Sequence, residues 1–224
     1  NMYHGRQIPG FPAHPHRGFE TVTVVLDGLV DHHDSAGAAG RYGNGDVQWM
    51  TAGSGLQHSE MFPLVHENQP NPMELFQIWI NLPARSKTAE PAFKMLWSES
   101  IPVIKSHDKE GRQTETRVIA GNFEKTSAPA PAPDSWAAQS TNQVAIWVIT
   151  LEAEAEFVLP SSKAGVNRDL YFYEGSSINI AGQKIPGYHA VELTTPDKVK
   201  IKNGGEQSRI LLLQGMPIDE PVVR

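Results

Sequence analysis

The chain is written in short β-branched and aromatic runs punctuated by Gly, Pro, Asn and Asp, with no long stretch of 3.6-residue period. Such a chain cannot build a helical bundle, because no segment carries a continuous apolar helical face. The runs include "TVTVVLDG", "GDVQWMTAG", "LFQIWINLP", "TRVIAG", "VAIWVITLEAEAEFVLP", "DLYFYEGSSINIAG", "HAVELTTPDKVKIKNG" and "SRILLLQG". Several recur at roughly 10-residue spacing, the rhythm of a β-sandwich or barrel. The expected class is all-β. At 224 residues the chain can form one large domain or two small ones, each burying its own core. The clearest break is "EKTSAPAPAPDSWAAQST", residues 124–141, where alternating Ala and Pro favour extended, solvated backbone. It reads as a linker or long loop between two β-domains, 1–123 and 142–224.

Charge and composition remove several function classes. The net charge is −6 and the Lys and Arg residues are scattered, so direct nucleic-acid binding is not expected. Cysteine is absent, which excludes disulfides, thiolate metal sites and cysteine nucleophiles together. Any metal must therefore be held by nitrogen and oxygen. No apolar run approaches the ~18 residues of a membrane helix, and the first residues lack the apolar core of a signal peptide. The expectation is a cytoplasmic protein without a membrane partner. Every histidine except His189 precedes the Pro/Ala-rich break, so site chemistry is expected in the N-terminal half.

Within that half, "FPAHPHRGFETVTVVLDG" (residues 11–28) places His14 and His16 two apart, and "GLQHSEMF" (residues 55–62) does the same with His58 and Glu60. In a strand, residues i and i+2 share a face. Two such pairs on adjacent strands would present three imidazoles and one carboxylate to a single point. That donor set suits Fe(II), Mn, Ni, Cu or Zn. Pro15 donates no ladder hydrogen bond and so belongs at a strand start or edge, where a site can open. A lone HxH is equally well explained by surface or core histidines, and it is the second pair that turns the balance toward a metal. His32 and His33 read as loop residues, since adjacent strand side chains point to opposite faces.

Taken together, "HPHRGFETVTVVLDG" and "GDVQWMTAGSGLQHSEMF" closely resemble the pirin family of two-domain cupins. "LFQIWINLP" and "EPAFKML" continue the likeness, and "KIPGYHAVELTTPDKVKI" with "ILLLQGMPIDEPVV" resembles the family's metal-free second cupin. The resemblance implies a bicupin, two β-sandwich or jelly-roll barrels packed face to face with few short helices. It also implies one divalent ion, Fe(II) foremost with Mn, Ni, Cu, Zn or Co as alternatives, on His14, His16, His58 and Glu60. The broader cupin pattern offers Glu20 of "HPHRGFE" as the carboxylate instead. On strand parity Glu20 could share the face of His14 and His16. The pirin likeness favours Glu60, leaving Glu20 as a neighbour bonded to a ligand imidazole or to Arg17.

Several bacterial pirins resemble quercetin 2,3-dioxygenases, which implies a flavonol-like substrate, dioxygen as co-substrate, and Glu60 as a general base. Gln48, Trp49, Met50 and Met61 flank the ligands as pocket or core residues. Other pirins resemble iron-dependent, redox-sensing regulators that bind a transcription factor or metabolic enzyme, so a protein partner is the alternative. The likeness implies a monomer. Relatives carry a longer lead before the HPH strand and a longer tail after "EPVV", and a shielding tail would bear on substrate preference.

Overall fold

A computed structural model describes residues 2, 3 and 7–221, and among them every extended element is a β-strand. The strands are β1 (Met2–Tyr3), β2 (Gly10–His16), β3 (Phe19–Asp27), β4 (Leu29–Asp34), β5 (Ala39–Gly43), β6 (Val47–Thr51), β7 (Leu56–Met61), β8 (Asn71–Pro72), β9 (Glu74–Asn81) and β10 (Ala92–Leu96). They continue as β11 (Val103–His107), β12 (Gln113–Ala120), β13 (Asn122–Phe123), β14 (Thr126–Ser127), β15 (Ala145–Leu151), β16 (Glu156–Leu159), β17 (Asn167–Glu174), β18 (Ser177–Ile180), β19 (Gln183–Pro186), β20 (His189–Glu192), β21 (Val199–Asn203) and β22 (Ser208–Gly215). Helical structure among the described residues is limited to three-residue 3₁₀ turns such as Ala84–Ser86 and Trp136–Ala138. The all-β expectation therefore holds.

The chain divides into two compact units, and the division differs from the expected boundaries. The first unit comprises residues 1–100, 131–138 and 218–224; the second comprises 101–130 and 139–217. Residues 101–123, expected with the N-terminal domain, instead fall in the second unit, where β12 pairs with β15 from Thr114 opposite Leu151 to Ala120 opposite Ile146. The Pro/Ala-rich segment is not a plain linker either. Its middle, 131–138, packs into the first unit, anchored by a Ser135 hydroxyl bonded to buried Glu20. Nor is the segment uniformly extended, since it carries 3₁₀ turns at Trp136–Ala138 and Ser140–Asn142.

In the first unit, one sheet runs β2-β7-β4-β5 and another β10-β6-β3-β9, all neighbours antiparallel. Strand β7 alternates buried with less buried residues, as a strand with one covered face must. Strand β3, "FETVTVVLD", is buried on both faces and correspondingly rich in Val and Thr. In the second unit, a six-stranded sheet β11-β12-β15-β22-β17-β20 accompanies a four-stranded one, β16-β21-β18-β19. Val118, Trp147, Ile149, Leu170 and Leu212 from the first of these join Phe157, Ile178 and Ile201 from the second in one apolar core. This is a sandwich whose core comes from alternate residues of both inner faces.

Candidate metal centre

Strand β7 lies between β2 and β4, and this arrangement assembles the site. Across the β2–β7 pair His14 stands opposite His58 and His16 opposite Leu56; across β4–β7, Asp34 stands opposite His58 and His32 opposite Glu60. The period of two then puts His14, His16, His58, Glu60, His32 and Asp34 on one face. The β2–β7 register shifts between Phe11 and His14, a bulge of the kind that re-aims side chains beside a site.

One ring nitrogen from each of His14, His16 and His58 lies within 4.8 Å of the others. The His14 Nδ1–H donates to the Pro12 carbonyl at 2.7 Å, which leaves Nε2 as the free lone pair. His16 and His58 are 8% and 1% exposed, and the Nε2 atom of each is buried without a hydrogen-bond partner. Buried polar atoms are seldom left unpaired, and two such nitrogens converging with a third are a fit for a metal ion. Burial, and then the neighbouring His14, lower the His16 pKa. Burial chiefly, with His14, His16 and His32 adding to it, takes His58 down to about 3. Both shifts favour the neutral ring, the state a ligand needs.

The two carboxylates named from sequence occupy different environments. Glu60 is buried on the histidine face but stands outside the group of three mutually close nitrogens. Its Oε1 accepts from the Thr23 hydroxyl at 3.2 Å and its Oε2 from the Gln77 amide at 2.7 Å. Its charge also helps to hold the Tyr42 phenol far above the usual range, after burial as the larger cause.

Glu20 does not share the face of His14 and His16. The chain turns at Gly18, with φ +75°, so Glu20 lies on β3 in the other sheet. There it accepts from Trp49 Nε1 at 3.1 Å, Thr51 Oγ1 at 2.8 Å and Ser135 Oγ at 2.6 Å, with no bond to a ligand imidazole or to Arg17. Burial raises its pKa, against the lowering effect of these donors.

Of the residues flanking the candidate ligands, Gln48 reaches the site, donating from Nε2 to His32 Nδ1 at 2.8 Å. Trp49 faces Glu20 instead, and Met50 packs with Ala52 and Leu56 in an apolar cluster. Met61, one residue after Glu60, points to the other face of β7. His33 is exposed, but its neighbour His32 is buried on β4 beside the site, so the loop reading fails for both. Its partner Asp34 gave the available signal, an H-x-D spacing that matches the H-x-H and H-x-E of the other two strands. Phe11 and Trp79, 53% and 63% exposed, flank His14 and His16 with ring centroids 6.4 and 5.7 Å away. A cleft lined by Leu29, Phe62, His66 and Met73 lies elsewhere on this unit and includes none of the three histidines.

The model of the Pirin family matches residues 1–80, and that of the Pirin C-terminal cupin domain matches residues 146–224. A Pseudomonas aeruginosa protein named "Putative quercetin 2,3-dioxygenase" is 35% identical over 97% of this chain and 72% of its own length. A Pirin-like protein of Caulobacter vibrioides is 38% identical over 96% of this chain and 72% of its own. Among solved structures, a quercetin 2,3-dioxygenase from Acinetobacter baumannii superposes with a TM-score of 0.85 and 29% identity, covering all of this chain and 74% of that one. With two sandwiches in place and both cupin halves matched, the chain belongs to the pirin family of bicupins.

Proposed function

We propose that this chain is a mononuclear metal protein with flavonol 2,3-dioxygenase activity, its ion held by His14, His16, His58 and Glu60. The observation that carries the reading is the convergence of three imidazole nitrogens, two of them buried and unpartnered. Names of relatives supply the reaction class: several carry the name "Putative quercetin 2,3-dioxygenase", and a solved structure is called quercetin 2,3-dioxygenase. A divalent transition ion there, Fe(II) foremost with Mn, Ni, Cu, Zn or Co as alternatives, would supply Lewis acidity that lowers the pKa of a bound hydroxyl.

The chain's own residues have separate tasks. Glu60, once loosened from the ion, would take the flavonol hydroxyl proton, and the Thr23 and Gln77 bonds position its carboxylate when it is off the metal. Phe11 and Trp79 offer exposed aromatic surface beside His14 and His16, suited to the flat rings of a flavonol. Burial of His16, His58 and Glu60 keeps bulk water from the reacting centre. Quercetin and dioxygen would leave as a depside and carbon monoxide. The test is turnover of quercetin in air by protein loaded with Fe(II) or Mn(II), following flavonol absorbance and carbon monoxide. Stoichiometric metal with neither signal would sink the enzyme reading.

A further inference from the structure

We propose that His32, clamped between Asp34 and Gln48, is a positioning residue that fixes the tautomer of His58 and so aims its Nε2 lone pair at the metal. The inference rests on the metal reading above and deepens it. His32 and Asp34 are 3% and 2% exposed, and no step described so far uses them.

The hydrogen bonds of this cluster run in one direction. Asp34 Oδ1 accepts from the backbone N–H groups of Ala36 and Ala38 at 2.9 and 3.0 Å. Its Oδ2 lies 3.0 Å from His32 Nε2. A carboxylate only accepts, so His32 carries its proton on Nε2 and Nδ1 is the acceptor. That acceptor takes the Gln48 Nε2 donor at 2.8 Å, while Gln48 Oε1 takes the Tyr42 hydroxyl at 3.2 Å. The donors therefore pass from Tyr42 through Gln48 and His32 to Asp34, and each member fixes the orientation of the next. Phe93, with its ring centroid 4.9 Å from that of His32, packs against the imidazole as well.

The consequence falls on His58. Its Nδ1 lies 3.5 Å from His32 Nδ1, and the ring centroids are 5.3 Å apart. The His32 lone pair is already engaged by Gln48, so this contact is long and electrostatic rather than a strong bond. Its sign is nevertheless clear. With the proton on Nδ1, His58 points a positive edge at a lone pair and leaves Nε2 bare toward His14 and His16. With the proton on Nε2, two lone pairs face each other across 3.5 Å and the N–H has no acceptor within hydrogen-bond distance. Ligand imidazoles are generally fixed in this way by a group on their second nitrogen. Here that group is another imidazole, itself fixed by a carboxylate and an amide.

The test combines a tautomer measurement with metal affinity. Long-range proton–nitrogen correlation spectra of the ¹⁵N-histidine-labelled, metal-free protein should show His58 protonated at Nδ1. Finding the proton on Nε2 would overturn the proposal without any variant. Co(II) affinity, measured by competition with a chromophoric chelator, should fall about 10–100-fold in His32→Phe and in Gln48→Glu. Phe keeps the ring but removes both nitrogens, and Glu keeps the shape but turns the donor toward His32 into an acceptor. If His32→Phe fails to fold, Gln48→Glu and the wild-type spectrum still decide. His58→Ala separates the two levels: full Co(II) binding in that variant defeats the metal reading itself. Loss of Co(II) there, with wild-type affinity in the other two, defeats only the positioning role.

Discussion

Glu20 provides the sharpest test of how the face assignments work. Three side-chain donors reach its carboxylate, from Trp49, Thr51 and Ser135. Truncation by Glu20→Ala removes these three and the bond from the Trp136 backbone N–H, four hydrogen bonds at about 1 kcal/mol each, so the first unit should lose about 4 kcal/mol. For a chain of this size, that corresponds to a fall in Tm of roughly 8–16 °C. Glu20→Gln keeps the shape and one acceptor and should cost less than about 1.5 kcal/mol. The sign of its pH dependence is also fixed. Burial raises the folded-state pKa of Glu20 above its unfolded value, so its contribution is complete at low pH and is lost as pH rises through the folded pKa. The Gln variant should lack that loss. Differential scanning calorimetry across pH, with elemental analysis of the same samples, reads both effects. Metal content should match wild type in both variants, because Glu20 projects from the other sheet. Metal loss at an unchanged Tm would refute the assignment and return Glu20 to the ligand set.

Other perturbations follow from single features. His58 carries a folded-state pKa of about 3 against an ordinary 6.5, so the metal-free protein should lose stability as pH falls from 6.5 toward 3. One proton gives a slope of at most about 1.4 kcal/mol per pH unit, and urea titrations of His58→Phe should show it flattened; an equal slope would remove His58 as its source. In the second unit, withdrawal from water would raise Asp108, but the N–H groups of Glu156, Arg112 and Glu110 and the Arg112 guanidinium prevail and hold it at about 2. Its contribution is present above the ordinary 3.8 and lost between there and about 2, so Asp108→Asn should lower Tm at pH 7 and weaken acid sensitivity in that window. Gly53 has φ +51° and a Cβ there would strike the Ala89 carbonyl oxygen, so Gly53→Ala should cost about 2–3 kcal/mol by chemical denaturation. A neutral result would mean that the turn leading toward β7 is free to shift.

What could be read from sequence, and what could not, divides at one physical line. The pairs His14/His16 and His58/Glu60 were legible because the two-residue strand period holds wherever a strand is unbroken. The same rule misassigned Glu20, since the turn at Gly18 ends one strand and begins another, and parity does not survive a turn. It misassigned His32 for a different reason. Adjacent histidines do point to opposite faces in a strand, and the structure uses that: His33 goes to solvent while His32 goes inward to meet Asp34. The rule was sound, but reading the pair as loop presumed that neither face had a use for an imidazole. The Ser135–Glu20 bond, spanning 115 residues, lies wholly outside local reasoning, and it draws residues 131–138 into the first unit. Local periodicity can therefore nominate ligands on single strands. Which residues come to lie beside those candidates depends on the order of strands in the sheet: only after β7 is set between β2 and β4 does His32 come to lie beside His58.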